Sequence, residues 1–319
     1  MRVLSRGNEP ARITRPRRPA ARTDREWRKQ STIRESPTLL WLSAPAVVVY
    51  ACFLLGPALF GVVMTTYRWN TGSSASFVGL SNWRAFFLDP AAHRALFVSA
   101  EIIGLRFILD LPLSLALGIY IAGRQRYRAV LAALYVIPLL FSGVGVGVMW
   151  VKFFAPEFGA LQNIFAQDWL AQPFTALLID TAVLSWQTIP FYMLIVQAAR
   201  RSIPESLYEA SALDGAGPAM QCWRITLPQL RNTIGAIAIL CVASSMTAFA
   251  SYYVMTSGGP AGATTNLALG MYYTAFDNGQ LGYAAVFGIT LSILGFLLAI
   301  AVSRIGRFNA SRSVREGIQ

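Results

Sequence analysis

The sequence predicts an all-α polytopic membrane protein, and its composition is the first observation behind this prediction. The 319 residues are 55% hydrophobic and 13% charged, with a mean hydropathy of +0.49, whereas soluble domains carry about 25% charged residues. The second observation is a series of apolar runs long enough to cross a bilayer, which takes about 20 residues. The third is an uneven distribution of arginine among the segments between those runs.

The apolar runs predict six spanning helices. One run, from Asn232 to Phe276, is too long for a single helix, and the segment Ser257–Asn266 divides it because it is rich in Gly and contains Pro. We therefore end the fifth helix near Met255. The six predicted helices cover residues 39–67, 95–123, 129–151, 175–199, 230–255 and 280–303.

The distribution of arginine predicts the orientation of these helices. Cationic residues concentrate in residues 1–38, 124–128, 200–231 and 304–315, and few lie in the segments that alternate with them. By the positive-inside rule both termini and the 200–231 segment are cytoplasmic. The net charge of +12 is thus explained by topology and does not indicate nucleic-acid binding. The segments predicted to lie on the extracytoplasmic side contain only four cationic residues, Arg68, Arg84, Arg94 and Lys152.

Two tails flank the predicted transmembrane domain of residues 39–305. The first, residues 1–38, is rich in Arg and Pro and poor in aromatic residues, so we expect it to be disordered and able to touch anionic membrane lipid. The second is the cytoplasmic C-terminal tail of residues 306–319. The first apolar run is too long for a cleaved signal peptide, so it is expected to remain as the first helix.

The sequence contains no set of residues that predicts catalysis, a metal or a cofactor. Cys52 and Cys241 fall in spanning segments and Cys222 in the cytoplasmic segment, so neither a disulfide nor a metal framework is indicated. His93 is the single histidine. A Gly-rich phosphate loop and a nucleophile with its base are both absent from the sequence. The chain is therefore predicted not to be an enzyme.

The cytoplasmic stretch YEASALDGAGPAMQCWRITLP, Tyr208–Pro228, predicts a compact helix–turn–helix between two membrane segments. Pro204 and Glu205 suit the first turn of a helix that runs to about Asp214. Glycines at 215 and 217 end it, and Pro218 starts a second short helix through Trp223. The simpler interpretation of such a stretch is an amphipathic connector at the membrane surface.

The same stretch resembles the E-A-A-x-x-x-G-x9-I-x-L-P signature of binding-protein-dependent ABC importer permeases, with Ser211 in place of the second alanine. The resemblance implies a six-helix ABC importer permease bundle with a cytoplasmic coupling-helix loop that docks on an ATPase dimer. It also implies a second homologous permease subunit, an extracytoplasmic solute-binding protein and a location in the bacterial inner membrane. The positions implied to couple to the ATPase are Glu209, Ala210, Ser211, Asp214, Gly215, Ile225, Leu227 and Pro228.

Three further segments, Phe77–Leu96, Val254–Asn266 and Phe276–Gly288, resemble the larger permease subunit of maltose and glycerol-3-phosphate type importers. That resemblance implies a sugar substrate, which would contact helices flanking the cytoplasmic loop. The alternative is that these side chains pack helices together. The predicted substrate pathway, including neighbours able to supply aromatic, hydroxyl or amide groups, comprises Trp186, Gln187, Thr188, Phe191, Cys241, Ser244, Ser245, Thr247, Ala248, Phe249 and Tyr252.

The second predicted helix contains the ionisable residues Glu101, Arg106 and Asp110, which require a reason within a bilayer. Arg106 and Asp110 are four residues apart and therefore share a helix face on which they can pair. A structural ion pair is the simpler interpretation. The functional alternative is a proton relay, which would make the chain a proton-coupled secondary transporter instead of an ATP-driven importer.

Overall fold

The computed structural model describes residues 37–123, 126–156, 159 and 168–305. The chain divides into two units, residues 1–57 and residues 58–319. The predicted C-terminal tail and all but two residues of the predicted N-terminal tail lie outside the described residues, so their disorder stays a prediction.

The described part of the first unit contains α1 (Pro37–Tyr50), which continues through the π-helical turn Ala51–Leu55 into α2 (Gly56–Met64). Residues 41–64 of this continuous helix form a candidate membrane span. Almost all side chains of residues 41–57 are exposed. Apolar side chains exposed around a whole helix are suited to contact with lipid.

Among the described residues of the second unit, the regular structure is helical apart from one short antiparallel strand pair in which Tyr67 pairs with Phe77. In chain order its elements are β1 (Tyr67–Arg68), β2 (Ser76–Phe77), α3 (Ser81–Leu88), α4 (Pro90–Ile121), α5 (Arg126–Val136), α6 (Gly143–Phe154), α7 (Pro173–Arg201), α8 (Glu205–Leu213), α9 (Pro218–Gln221), α10 (Leu227–Gln229), α11 (Arg231–Met246), α12 (Ala250–Met255), α13 (Leu267–Tyr272) and α14 (Leu281–Ile305).

Among the described residues, four helices are long and apolar enough to cross a membrane: the α1–α2 helix, α4, α7 and α14. Two bent helix pairs raise the number to six if each pair counts as one span. Helix α4 begins at Pro90, earlier than predicted, because the Asp89 side chain accepts a hydrogen bond from Ala91 N at 2.8 Å and caps the helix.

The prediction of one helix over residues 129–151 is wrong. The segments Arg126–Leu140 and Gly143–Phe154 are bent by 96° relative to each other. The 3-10 turn Ile137–Leu140 ends α5, and Phe141 is extended with ψ of 146°. Pro138 lies in this turn and cannot donate a backbone hydrogen bond to the preceding turn of helix, which accounts for the interruption.

The prediction of one helix over residues 230–255 is also wrong. Helix α11 ends at Met246, because Thr247 leaves the helical conformation (φ −91°, ψ 4°), and α12 starts at Ala250. The break is stabilised by a hydrogen bond of 2.6 Å from Asn266 Nδ2 to Ala248 O. At its other end α11 meets the preceding segment Pro218–Gln229 at 68°.

Helices α4 and α7 form the central contact of the second unit. A Cβ atom added to Gly118 of α4 would lie 2.5 Å from Val196 Cβ of α7, so only glycine permits this approach of the two helices. Val196 and Tyr192 of α7 belong to a buried cluster with Ile237 and Cys241 of α11. The three helices α4, α7 and α11 therefore share one core.

Candidate functional site

The α7–α11 loop (residues 202–230) begins with α8, which ends at Leu213, one residue before the predicted end. Gly215 follows with φ of +82°, the left-handed conformation that glycine adopts most readily. The amide of Gly215 donates to Ala212 O at 3.0 Å, and the amide of Ala216 donates to Ser211 O at 2.9 Å. These bonds satisfy the last carbonyls of α8, so the helix stop predicted at Gly215 is confirmed.

The second half of the loop differs from the prediction of a helix through Trp223. Helix α9 ends at Gln221, and a π-helical turn, Cys222–Thr226, connects it to α10. Pro218 stands at the first position of α9, as predicted. Pro228 lies within the first residues of α10, where a missing N–H does not break the helix.

Side-chain contacts hold the two halves of the loop together. The hydroxyls of Tyr208 and Thr226 lie 2.9 Å apart and share a buried hydrogen bond. Gln221 Nε2 donates to Tyr208 O at 3.1 Å and to Ser211 Oγ at 3.0 Å. The Arg200 guanidinium at the end of α7 lies 3.8 Å from the centre of the Tyr208 ring, a cation–π contact. The loop is thus a packed element attached to α7.

The loop also exposes large apolar side chains. Leu213 is 90% exposed, Trp223 is 73% exposed and Met220 is 48% exposed. The eight predicted ATPase-coupling residues divide into exposed and partly buried positions. Exposed are Glu209, Ala210, Asp214, Gly215 and Pro228, and partly buried are Ser211, Ile225 and Leu227.

A second candidate site is the buried polar cluster around Arg106 of α4. Arg106 Nη2 lies 2.7 Å from Asp110 Oδ2, and both side chains are fully buried, which confirms the predicted ion pair. Arg106 also donates to Thr188 Oγ1 of α7 at 2.7 Å. Its Nη1 donates to Ser244 Oγ at 2.8 Å and to Ser245 Oγ at 3.1 Å, both on α11. One guanidinium therefore connects three helices.

Four predicted substrate-pathway residues meet at this cluster. The hydroxyls of Thr188, Ser244 and Ser245 accept from Arg106, and Cys241 Sγ lies 3.8 Å from Asp110 Oδ2. These groups contact protein in this conformation. That they also contact a solute stays a prediction.

The remaining predicted pathway residues lie in different surroundings. Tyr252 is fully buried and shares a hydrogen bond of 3.0 Å with Thr181, and Ala248 is also buried. Gln187 Nε2 donates to Phe141 O at 2.7 Å. Trp186 is 38% exposed and Phe191 is 45% exposed. Thr247 is also exposed, whereas Phe249 is partly buried.

Sequence reasoning missed two features of this region. Asp180 of α7 is buried, and its Oδ2 accepts from Thr256 Oγ1 at 2.8 Å, which ties α7 to the loop after α12. The sequence signal that could have revealed it is the position of Asp180, a carboxylate directly before the uncharged run of residues 181–199. The second feature is an aromatic group in which the rings of Phe249, Tyr253 and Tyr272 lie 4.9 to 5.2 Å from one another.

The described residues are mainly helical and combine several apolar candidate spans, a buried polar cluster and a packed helical loop, a construction that suits a polytopic membrane transport subunit. This chain belongs to the family described as "Binding-protein-dependent transport system inner membrane component", which matches residues 114–309. It is therefore a multi-pass permease of the inner membrane. Nothing in the comparisons supports a proton-coupled secondary transporter.

Curated relatives match the chain over most of its length. It is 28% identical over 317 residues to the diacetylchitobiose uptake system permease protein NgcF of Streptomyces coelicolor, covering 91% of this chain and 88% of NgcF. It is 28% identical over 264 residues to the sn-glycerol-3-phosphate transport system permease protein UgpA of Agrobacterium fabrum, covering 79% of this chain and 89% of UgpA. It is 26% identical to the trehalose/maltose transport system permease protein MalF of Thermococcus litoralis, covering 86% and 95%.

A solved structure shows the same fold. The chain superposes with a TM-score of 0.75 on a chain from the crystal structure of a bacterial alginate ABC transporter in complex with an alginate pentasaccharide-bound periplasmic protein. The two chains are 20% identical, and the match covers 89% of this chain and 97% of the other. The fold class predicted from the sequence is confirmed by this likeness and by the family match.

Proposed function

We propose that this permease forms half of the translocation pathway of an ATP-driven importer for a sugar or a related polar solute. In the proposed assembly it pairs with a second, homologous permease, binds a cytoplasmic ATPase dimer that hydrolyses the ATP, and receives solute from an extracytoplasmic binding protein. The substrate class is supported by relatives whose names refer to diacetylchitobiose, trehalose and maltose.

The observation that carries this proposal is the construction of the α7–α11 loop. Tyr208 bonds Thr226 across the loop and packs under Arg200 of α7, so a force on α8 is transmitted to α7 and, through α10, to α11. Leu213, Met220 and Trp223 expose large apolar side chains within this one loop, and a protein partner could cover such side chains. We propose that the ATPase covers this surface and that its closure moves the loop as a unit.

The proposed topology places the loop and both termini in the cytoplasm. Arg200, Arg201, Arg224 and Arg231 lie within or beside the loop, and cytoplasmic segments of membrane proteins carry an excess of arginine. In this orientation the loop after α12 faces the solute-binding protein.

The proposed solute path follows the polar side chains of α7 and α11. Phe191 and Trp186 are partly exposed, and small-molecule sites combine such apolar surface with a few placed polar groups. The Arg106 cluster connects α4 to these two helices through the hydroxyls of Thr188 and Ser244. We assign it the role of holding α4, α7 and α11 together while the path opens to either side.

The test of the loop compares Gly215→Val with Gly217→Val in the assembled transporter. A side chain at Gly215 must adopt a φ of +82°, which costs about 1–2 kcal/mol, whereas Gly217 has φ of −71°. We expect Gly215→Val to reduce ATPase retention and solute uptake while the permease stays inserted, and Gly217→Val to have the smaller effect. Equal uptake in the two variants and the wild type would remove the support for coupling through this loop.

A second variant tests the charged contact. Glu209 is exposed on α8, so Glu209→Lys does not disturb the fold of the loop, yet it repels any cation that Glu209 meets on the ATPase. We expect loss of solute-stimulated ATP hydrolysis, with recovery when the partner charge on the ATPase is reversed. Wild-type stimulation in Glu209→Lys would show that Glu209 makes no charged contact.

A further inference from the structure

A cavity of about 780 Å³ lies between the ends of α4 and α7 and the α7–α11 loop. Its volume is within the range of roughly 300–1,000 Å³ that small-molecule sites occupy. None of the eight residues predicted to couple to the ATPase lines it among the described residues. The cavity is thus separate from the proposed docking surface, although the loop contributes residues to both.

The cavity wall carries three arginines, Arg128, Arg200 and Arg201, and one carboxylate, Glu205. Among the described residues, none of the three arginines forms an ion pair, since the ion pair found there is Arg106–Asp110. The lining of the cavity therefore has an excess of positive charge, because the single carboxylate of Glu205 cannot balance three arginines and forms no ion pair with them among the described residues.

Each of these guanidinium groups is held in place by a contact that leaves other N–H groups available. Arg128 Nη1 donates to Tyr120 O at 2.7 Å and its Nε donates to the Tyr127 hydroxyl at 3.3 Å, while Arg201 Nε donates to Ala122 O at 3.3 Å. Arg200 is held over the Tyr208 ring. A guanidinium has five N–H donors, so most of the donors on these arginines remain available. Because their side chains are already held by the contacts above, binding an anion would cost little conformational entropy.

The rest of the wall indicates what kind of anion fits. Ile119 of the last turn of α4 and Ala122 beyond it supply apolar surface to the wall. Planar guanidinium groups match phosphate oxygens in paired hydrogen bonds. Basic pockets at the cytoplasmic ends of spanning helices are suited to anionic lipid headgroups. A phosphate group combines these requirements, either on a lipid or free in solution.

We propose that this cavity binds a phosphate-bearing anion through Arg128, Arg200 and Arg201. The bound anion bridges Arg128, which contacts the end of α4, to Arg200 and Arg201 at the end of α7, beside Tyr208 of the loop, and so stiffens the attachment of the loop to the membrane helices. The binding itself is independent of the proposed function. The expected consequence, tighter coupling of ATP hydrolysis to uptake, rests on it.

The test uses the intact transporter complex in nanodiscs of phosphatidylcholine, with phosphatidylglycerol added in one arm and inorganic phosphate added to the buffer in another. Bound lipid is counted by native mass spectrometry after release from the nanodisc. We expect Arg200→Gln combined with Arg201→Gln to lower phosphatidylglycerol affinity by at least about tenfold, because each change removes a charge-assisted hydrogen bond. Arg128→Gln should act in the same direction.

Two further variants serve as controls. Arg231→Gln removes an exposed arginine of the same region that does not line the cavity, so it should retain wild-type lipid binding. Arg200→Lys combined with Arg201→Lys keeps the charge and should retain most of the binding, which distinguishes loss of the site from loss of the fold.

The possible outcomes distinguish a lipid headgroup from free phosphate, and they include the results that would overturn the proposal. Displacement of the lipid by inorganic phosphate would assign the site to phosphate itself, whereas retention of the lipid alone would assign it to the headgroup. Equal losses in Arg231→Gln and the cavity variants, or no binding of either anion by the wild type, would overturn the proposal. Loss of the ATPase subunit instead of lipid from the cavity variants would assign the arginines to that subunit and overturn it as well. Uptake by the wild-type complex tests the proposed function separately.

Discussion

Replacing Asp110 with alanine should destabilise the folded permease strongly, because it leaves the Arg106 guanidinium buried without a counter-ion. Both side chains are fully buried and lie 2.7 Å apart. The hydroxyls of Thr188, Ser244 and Ser245 remain as partners, but they carry no charge. Removing one member of a buried ion pair costs about 3–5 kcal/mol. We expect the free energy of unfolding to fall by that amount.

The measurement is equilibrium unfolding of the purified chain in mixed micelles, followed by circular dichroism. Glu101→Ala is the matched control, since Glu101 is a partly buried carboxylate on the same helix and forms no ion pair among the described residues. Its loss of stability should be much smaller. The combined variant Arg106→Met with Asp110→Ala should recover part of the loss, because it removes both charges.

Two results would refute this reasoning. If Asp110→Ala destabilises the chain no more than Glu101→Ala does, the ion pair does not hold the helices together. If the combined variant is as unstable as Asp110→Ala alone, the loss comes from packing at position 110 and not from the unpaired charge of Arg106.

Two more predictions concern topology and the solute path. In a background without native cysteines, a cysteine at Gly262 should react with an impermeant thiol reagent from outside the cell and one in the N-terminal tail should not; the opposite labelling would invert the proposed orientation. Phe191→Ala should change uptake or sugar preference without affecting assembly, because the Phe191 ring is 45% exposed. Ser245→Leu should instead reduce assembly, because Ser245 is buried and accepts a hydrogen bond from Arg106 at 3.1 Å. Unchanged uptake of every transported sugar by Phe191→Ala, or normal assembly of Ser245→Leu, would contradict these assignments.

The sequence predicts well those features that depend on residues close together in the chain. The left-handed turn at Gly215 follows from the glycine that ends an amphipathic helix, and the Arg106–Asp110 pair follows from their spacing of four residues. Apolar runs long enough to cross a bilayer likewise predict the all-helical fold class.

Features that depend on partners distant in the chain could not be predicted in the same way. The hydropathy of residues 230–255 is continuous, and the helix break after Met246 is stabilised by Asn266, which lies 18 residues from its partner Ala248. The contact between Asp180 and Thr256 spans 76 residues. The bend near Phe141 had a local signal in Pro138, but proline also occurs inside unbroken helices here, such as Pro112 in α4.

The close approach at Gly118 restricts how a transport path can open. Sliding α4 along α7 by one helical turn, about 5.4 Å, would bring Ser114 or Ala122, which lie four residues from Gly118 on the same helix face, against Val196, where even a methyl group collides. We therefore expect α4 and α7 to keep this register while the transporter changes conformation. We expect the movements that open the path to occur on the other faces of this pair of helices.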